Sequence, residues 1–525
     1  MITRVIVKKS TYRDSISLMK ISNSISKLPG ITQAAVVMAT ELNRRVLSEA
    51  GFVDATIGLA DSNDMIVAIE AKEAASLDAA LTETEKLLSP SEKPTGEQAS
   101  PTSLDEALEL LSDANLAVIS VPGQFAKREA MQALAKGLNV FLFSSNVSRE
   151  EEVELKNVAK EKRLLLMGPD CGTSIINHKV LGFGNTIREG TIGLVSASGT
   201  GLQEVTTLIH KAGLGISQAI GTGGGDLSEQ VGGITMIQGL NLLEMDEQTK
   251  VIVLISKPPA PSTMEKVLEV ARGCRKPVVI NFLGGGVSPS MLGKLGSANT
   301  LDDAARVACE LAGVKPSAAA PIIPMETVSI ALAEHEKLAE SQQYIRGLFA
   351  GGTLCYESQT ILQPLFGEVF SNAPIKPEDN VPGNAPSKKH VCVDMGAEEF
   401  VQGRAHPMID FTLRNMRILQ EAKDPEIAVL LIDVELGIGS NADPAGQLVP
   451  VIQKAKGLAK EAGRYLPVVA SVIGTESDFQ GLASQEKALS DATVLIMSSN
   501  AQATRVSALI ASGEKIEAAI FGRSG

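Results

Sequence analysis

Short apolar runs separated by longer amphipathic stretches recur along the whole chain. Runs at 5–7, 34–38 and 65–69 are each followed by apolar positions at helical spacing. The series continues at 116–121, 140–143, 164–167, 192–195, 251–255, 278–282, 428–432, 468–472 and 494–497. Strands of this length alternating with helices predict βαβ units, parallel sheets and an α/β fold of several doubly wound, Rossmann- or flavodoxin-like domains. The pattern breaks at 89–103 and at 315–324, both rich in small residues and proline, which predicts linkers. Residues 371–389 carry four prolines and few apolar positions, which predicts an exposed excursion inside the last domain. The domains so delimited are 1–88, a small α/β unit, then 104–188, 190–314 and 343–525.

Two of these domains repeat one another. Residues 193–204 parallel 346–357: each is an apolar strand, a small-residue turn, then Gly-Thr-x-x-x-Glu opening a helix. Downstream, 250–257 parallels 426–433 and 276–282 parallels 466–472, in the same order. Residues from about 190 to 314 and from about 343 to 525 are therefore expected to be two copies of one doubly wound domain.

Composition narrows the function. The 525 residues hold 48 Lys+Arg against 61 Asp+Glu, a net charge of −13, which argues against a nucleic-acid-binding surface. Aromatics make up 3% with no Trp, so stacking platforms for bases are poorly supplied. The five cysteines are scattered without a CxxC, as expected of free thiols in a reducing cytosol. No apolar run approaches the roughly 20 residues needed to span a bilayer, and the first residues lack a signal-peptide core. A cytoplasmic protein is expected.

The turn at 196–201 is the sharpest chemical signal. A strand that feeds Ser198-Gly199-Thr200-Gly201 into a helix presents backbone N–H groups and hydroxyls at a positive helix end, a cradle for phosphate or carboxylate. Gly351-Gly352-Thr353 offers a second cradle in matching context. The run 221–226 includes Gly223 and Gly224, whose cost in chain entropy points to close backbone approach to a ligand or partner. Asp226 orients a hydroxyl or metal, or caps the following helix, the simpler role.

Cys171, in the turn 168–173, is either a nucleophile or a plain turn thiol. Ser145 and Asn146 sit at a strand's carboxyl end, where open α/β sheets bind ligands, or cap the acidic helix that follows. Arg404, His406 and Asp410 lie together in 403–410, where Arg404 is placed to hold a carboxylate or phosphate and His406 to move protons. A formal GxGxxA at 437–442 is followed at once by Asp443-Pro444 and carries little weight. No His, Cys and Asp group has metal-ligand spacing, and no Walker A motif is present, so neither a bound metal nor a nicotinamide cofactor is expected.

At 196–204 and 221–226 the chain resembles the succinyl-CoA synthetase α chain, and the resemblance extends back through Pro122, Ser145-Asn146 and Gly168-Pro169-Asp170-Cys171. The final domain resembles the ligase domain of the β chain, and the whole is similar to the FdrA family, with 167–173, 255–259 and 403–410 as that family's signatures. The resemblance implies that 104–188 is a CoA-binding-like domain and that 190–314 and 343–525 are ligase domains. It implies CoA as candidate cofactor, with Pro122, Ser145, Asn146, Asp170 and Cys171 along its site. Glu204 and Glu357 orient the reacting group, or stand as first-turn carboxylates favoured by the helix dipole.

Departures matter as much. The stretch 283–289 has no histidine where the α chain carries its phosphohistidine, the ATP-grasp half has no counterpart, and 8–14 replaces the first glycine-rich turn. A full relay from ATP through histidine is thus not expected on this chain alone. One reading is an acyl-CoA ligase-like subunit acting on an acyl phosphate; the resemblance to the FdrA family also implies a carbamoyltransferase subunit using carbamoyl phosphate with oxamate in allantoin breakdown. A third is a non-catalytic scaffold. Homo-oligomers or companion subunits are expected partners, and membranes and nucleic acid are not.

Overall fold

The computed structural model describes residues 1–89, 101–287, 289–314 and 323–517. Most of the two linkers expected at 89–103 and 315–324 lies outside these residues. The chain divides into two compact units, one of residues 1–100 and 395–413, the other of 101–394 and 414–525.

In the first unit, β1 (Ile2–Lys8), β2 (Ile31–Met38) and β3 (Met65–Ala71) form a sheet in the order β1-β3-β2. Both pairings are antiparallel, where the alternation of strands and helices predicts parallel ones. The crossover from β1 to β2 leaves a gap that β3 enters from the opposite direction. β3 is buried on both faces: Met65, Val67 and Ile69 meet Leu18, Ile25 and Leu77, while Ile66 and Ala68 meet Leu47, Phe52 and Ile57. That two-residue alternation separates two small cores. The stretch 395–413 joins this unit, with Phe400, Met408 and Phe411 buried. Gly403 (φ +72°) lies so close to Thr40 that a Cβ there would stand 2.5 Å from its methyl.

The second unit begins with a parallel sheet of β4 (Leu116–Ile119), β5 (Asn139–Leu142) and β6 (Leu166–Met167). A seven-stranded sheet follows, built from β7 (Thr173–Ile176), β8 (Lys179–Gly182), β9 (Glu189–Ser196), β10 (Ile216–Gly221), β11 (Val251–Ser256), β12 (Val278–Phe282) and β13 (Gly296–Ser297). Its order is β13-β12-β11-β9-β10-β7-β8. The last sheet contains β14 (Tyr344–Phe349), β15 (Val391–Asp394), β16 (Ile427–Glu435), β17 (Val468–Ile473) and β18 (Val494–Met497) in the order β15-β14-β16-β17-β18.

The repeat is thus real in three dimensions. β9 to β13 and β14 to β18 are each five parallel strands in the flavodoxin-like order 2-1-3-4-5. The first copy differs by the antiparallel hairpin β7–β8 added at its edge, turned by Asn177 and His178 with φ of 46° and 62°. One hydrophobic core runs through both copies. It includes Leu202, Val205 and Ile209 of helix Gly199–Lys211, Leu354 and Leu362 of helix Gly352–Phe366, and Val506 and Leu509 of helix Asn500–Ser512.

The excursion at 371–389 is less exposed than its prolines suggest. Ser371 and Asp379 are buried, Gln363 donates to Asp379 (2.8 Å), and Arg417 donates to Gly383 O (2.9 Å). Side chains supply the partners that a proline-rich backbone cannot find in a ladder.

Candidate functional site

The two repeated turns meet. β9 ends at Ser196, Ser198 caps helix Gly199–Lys211, and Gly351 occupies the matching cap of helix Gly352–Phe366. Ser198 Oγ accepts from Gly201 N–H (2.8 Å) and donates to Thr353 Oγ1 across the repeat (2.6 Å). A Cβ at Gly351 would lie 3.0 Å from Thr200 Cβ, so small residues are what allow the helix ends to abut. Two positive helix ends therefore converge, each with a threonine as its second helical residue. Ser198 has a different use from the one its sequence suggests: its proton goes to Thr353.

The second cradle is partly filled by the chain itself. Asp433 takes the N–H groups of Ala350 (2.8 Å) and Gly351 (2.7 Å) and pairs with Arg414 (2.7 Å). Asp394 Oδ2 stands 2.5 Å from where a Cβ at Gly352 would lie. In the first cradle, the N–H groups of Gly199 and Thr200 make no hydrogen bond among the described residues. Of the two turns, the first is the one whose helix-end N–H groups are left unpaired. Sequence reasoning missed Asp394 and Asp433, because nothing local marks the ends of β15 and β16 as neighbours of the turn after β14.

Glu204 and Glu357 lie six positions past their caps, beyond the first turn, and are fully buried. Each serves the N-terminus of a helix in the other copy. Glu204 accepts from Asn500 N–H (2.9 Å) at helix Asn500–Ser512, and Glu357 accepts from Leu301 N–H (2.7 Å) at helix Leu301–Leu311. Asn500 Nδ2 also donates to Glu357 (2.7 Å). Burial raises Glu204 to about 7, and burial with repulsion from Asp302 raises Glu357 to about 8. Neither is a first-turn carboxylate stabilised by its own helix dipole.

The glycines at 221–225 answer to the chain's own close packing. A Cβ at Gly223 (φ +81°) would stand 2.0 Å from Pro169 O, and one at Gly221 2.2 Å from Thr173 O. Gly224 is the freer of the pair named for substrate, its Cβ position being 3.8 Å from Asp170 Oδ2. Asp226 does cap the following helix, accepting from Thr235 N–H (3.0 Å) and Met236 N–H (2.8 Å), with buried Lys156 at 2.6 Å. The loop after β12 has no histidine, and its Gly284 (φ +65°) packs 3.3 Å from the Thr360 methyl by the same Cβ measure. Lys257, at the end of β11, lies 5.5 Å over the Tyr356 ring.

Pro122, Ser145, Asn146, Asp170 and Cys171 gather at the carboxyl ends of β4, β5 and β6. Ser144 Oγ donates to Val121 O (2.5 Å), Asp170 N–H donates to Ser144 O (3.0 Å), and Gly123 sits where a Cβ would strike the carbonyls of Ser145 and Asn146. Cys171 is buried, its Sγ reaches Thr173 O (3.6 Å), and burial pushes its thiol up to about 11, the setting of a turn thiol more than of a nucleophile. Arg404 and His406 fall in the first unit. Both outer nitrogens of Arg404 are taken, by Asp410 (2.9 Å) and Asn43 (2.9 Å), and His406 Nδ1 accepts from Met408 N–H (3.3 Å). The guanidinium expected to hold a substrate carboxylate is occupied by the fold.

Residues 187–284 match the CoA binding domain family, 348–510 the CoA-ligase family, and 1–103 the family described as AllF, heavy metal-associated domain. Residues 1–103 contain no cysteine or histidine, so the thiolate and imidazole ligands of a heavy-metal site are missing there. Among the described residues no group of three His, Cys, Asp or Glu is placed to hold a metal, and no helix is long and apolar enough to cross a membrane. The chain is 31% identical over 182 residues to succinate–CoA ligase [ADP-forming] subunit alpha 2 of Archaeoglobus fulgidus, covering 34% of this chain and 61% of that one. Among solved structures it is similar to a dinucleotide-forming acetyl-coenzyme A synthetase 1 of Ca. Korarchaeum cryptofilum, at 17% identity over 76% of this chain and 82% of that one, TM-score 0.27. It is 45% identical to the uncharacterized protein YahF of Escherichia coli K12 over 95% of this chain and 97% of YahF. The chain therefore belongs to the family of YahF, with succinyl-CoA synthetase-like CoA-binding and CoA-ligase domains.

Proposed function

We propose that this chain is an FdrA-like, ligase-type subunit that binds an acyl phosphate with its phosphoryl group at the N-terminus of helix Gly199–Lys211 and passes the acyl group to CoA. The carrying observation is the free pair of N–H groups at Gly199 and Thr200 beside the Ser198–Thr353 contact (2.6 Å). In such a transfer the CoA sulfur bonds to the acyl carbon, the bond from that carbon to the phosphate oxygen breaks, and the helix end stabilises the departing phosphate. On this reading CoA runs from the carboxyl edge of β4, β5 and β6, beside Pro122, Ser145, Asn146 and Asp170, to the flavodoxin-like copy at 187–284, which, rather than 104–188, is the stretch that matches the CoA binding domain family. With no histidine in the loop after β12, the acyl phosphate is bound ready-made, and ATP chemistry belongs to a companion subunit.

The same missing histidine favours a second reading, carbamoyl transfer from carbamoyl phosphate to oxamate, because that transfer needs no phosphohistidine. Calorimetric titration of the full chain tests both. Saturable binding of acetyl phosphate and of CoA supports the ligase reading. Binding of carbamoyl phosphate with no CoA binding moves the assignment to the transferase. Silence with all three ligands overturns both. Thr200→Val is expected to weaken phosphate binding about tenfold without lowering the melting temperature.

A further inference from the structure

We propose that Thr173 is a third arm of the anion cradle, donating its hydroxyl to the phosphoryl group at the N-terminus of helix Gly199–Lys211. The proposal rests on the reading of that helix end as the phosphate site.

Thr173 opens β7 and comes from the turn after β6, a segment distant in sequence from the helix it faces. Its side chain is 2% exposed, and Oγ1 has no hydrogen-bond partner. A buried hydroxyl left unpaired is costly and calls for an explanation, and this one faces the helix end with the unpaired N–H groups. The neighbouring groups are paired: Ser174 Oγ accepts from Gly221 N–H (2.9 Å), and Cys171 Sγ reaches Thr173 O (3.6 Å).

The direction of the hydroxyl is fixed. The Thr173 methyl lies 3.6 Å from the Cβ position of Gly184, while Oγ1 lies 3.2 Å from that of Gly199, the first residue of the helix. A β-branched side chain is stiff at χ1, and here its apolar arm is turned to one glycine and its polar arm to the other. Gly199 carries no side chain where Thr173 needs open space. Gly172 and Gly199 are both half-buried, so an anion reaching the Gly199 and Thr200 N–H groups also meets this hydroxyl. The Gly199 and Thr200 N–H groups, the Thr200 hydroxyl and the Thr173 hydroxyl, four donors from two separate segments, then converge on one oxyanion.

The test is titration of the full chain with inorganic phosphate and with acetyl phosphate, followed by calorimetry and phosphorus NMR, for wild type, Thr173→Val, Thr173→Ser and Thr200→Val. Thr173→Val is expected to weaken binding about tenfold, Thr173→Ser to keep it near wild type, and the melting temperature of Thr173→Val to stay equal or rise. A hydroxyl with a structural partner would lower it instead. Loss with acetyl phosphate alone assigns the hydroxyl to the acyl ester; loss with both assigns it to the phosphate itself. Wild-type affinity in Thr173→Val alongside weakened Thr200→Val overturns the role of Thr173 and leaves the cradle standing. No binding by wild type overturns both. Should Thr173→Val melt early, Thr173→Ser decides: normal affinity supports the proposal and lost affinity overturns it.

Discussion

Burial holds the carboxyls of Glu204 and Glu357 up at about 7 and about 8, against an ordinary value of 4.5. Each binds its proton more tightly in the folded chain than in the unfolded one. The stabilisation is complete below about pH 4.5 and is lost as pH rises to about 7 for Glu204 and about 8 for Glu357, on the order of a few kcal/mol each. Glu357→Gln, which mimics the protonated side chain, is expected to flatten the fall in melting temperature over that window, as followed by scanning calorimetry at several pH values. Ser198→Ala removes both the helix cap and the donor to Thr353. It is expected to cost about 1–2 kcal/mol in denaturant unfolding and to weaken phosphate binding. The motif Ser-Gly-Thr-Gly was legible as a cradle, but the partner of the Ser198 hydroxyl was not, because Thr353 lies 155 positions away.

Helix Arg149–Glu161 and the loop into helix Ile234–Met245 are tied by a buried charge cluster. Lys156 Nζ contacts Asp226 (2.6 Å), Glu152 (3.0 Å) and Thr222 O (2.9 Å), with no side-chain exposure. Lys156→Met leaves Asp226 buried without its cation, while Glu152 keeps Arg149, and is expected to cost about 3–5 kcal/mol, read as a lower denaturant midpoint. In the first unit, Arg404→Ala takes the cation from Asp410, which keeps Thr412, and the donor from Asn43 Oδ1, and is expected to cost about 3 kcal/mol. Failure of Arg404→Ala to change stability would contradict this structural use. Strands announced by continuous apolar runs were readable one by one. The hairpin β7–β8 was not, since Asn177-His178 lacks the glycine that usually marks such a turn.

The two flavodoxin-like copies are joined by reciprocal contacts: Glu204 serves the helix of Asn500, and Glu357 serves the helix of Leu301. Asn500 stands at the centre, donating to Glu357, Leu354 O (3.0 Å) and Ser358 Oγ (3.3 Å). Asn500→Ala is expected to destabilise the second unit by about 2–3 kcal/mol and to weaken phosphate binding, because it loosens the joint that holds the two helix ends together. Unfolding calorimetry and phosphate titration of the same variant check both effects.

By itself the sequence determined the α/β class, the two repeated domains and the strand-to-helix turn proposed as the anion cradle. These follow from apolar periodicity, from ordered similarity between 193–204 and 346–357, and from glycine and hydroxyl residues placed at a strand-to-helix turn. Only the tertiary structure decided that the amino-terminal sheet is antiparallel, that Arg404 is committed to Asp410, and that Asp433 fills the second turn. Each of those outcomes depends on which distant segments meet, and burial and pairing between them are set by packing that no local pattern encodes.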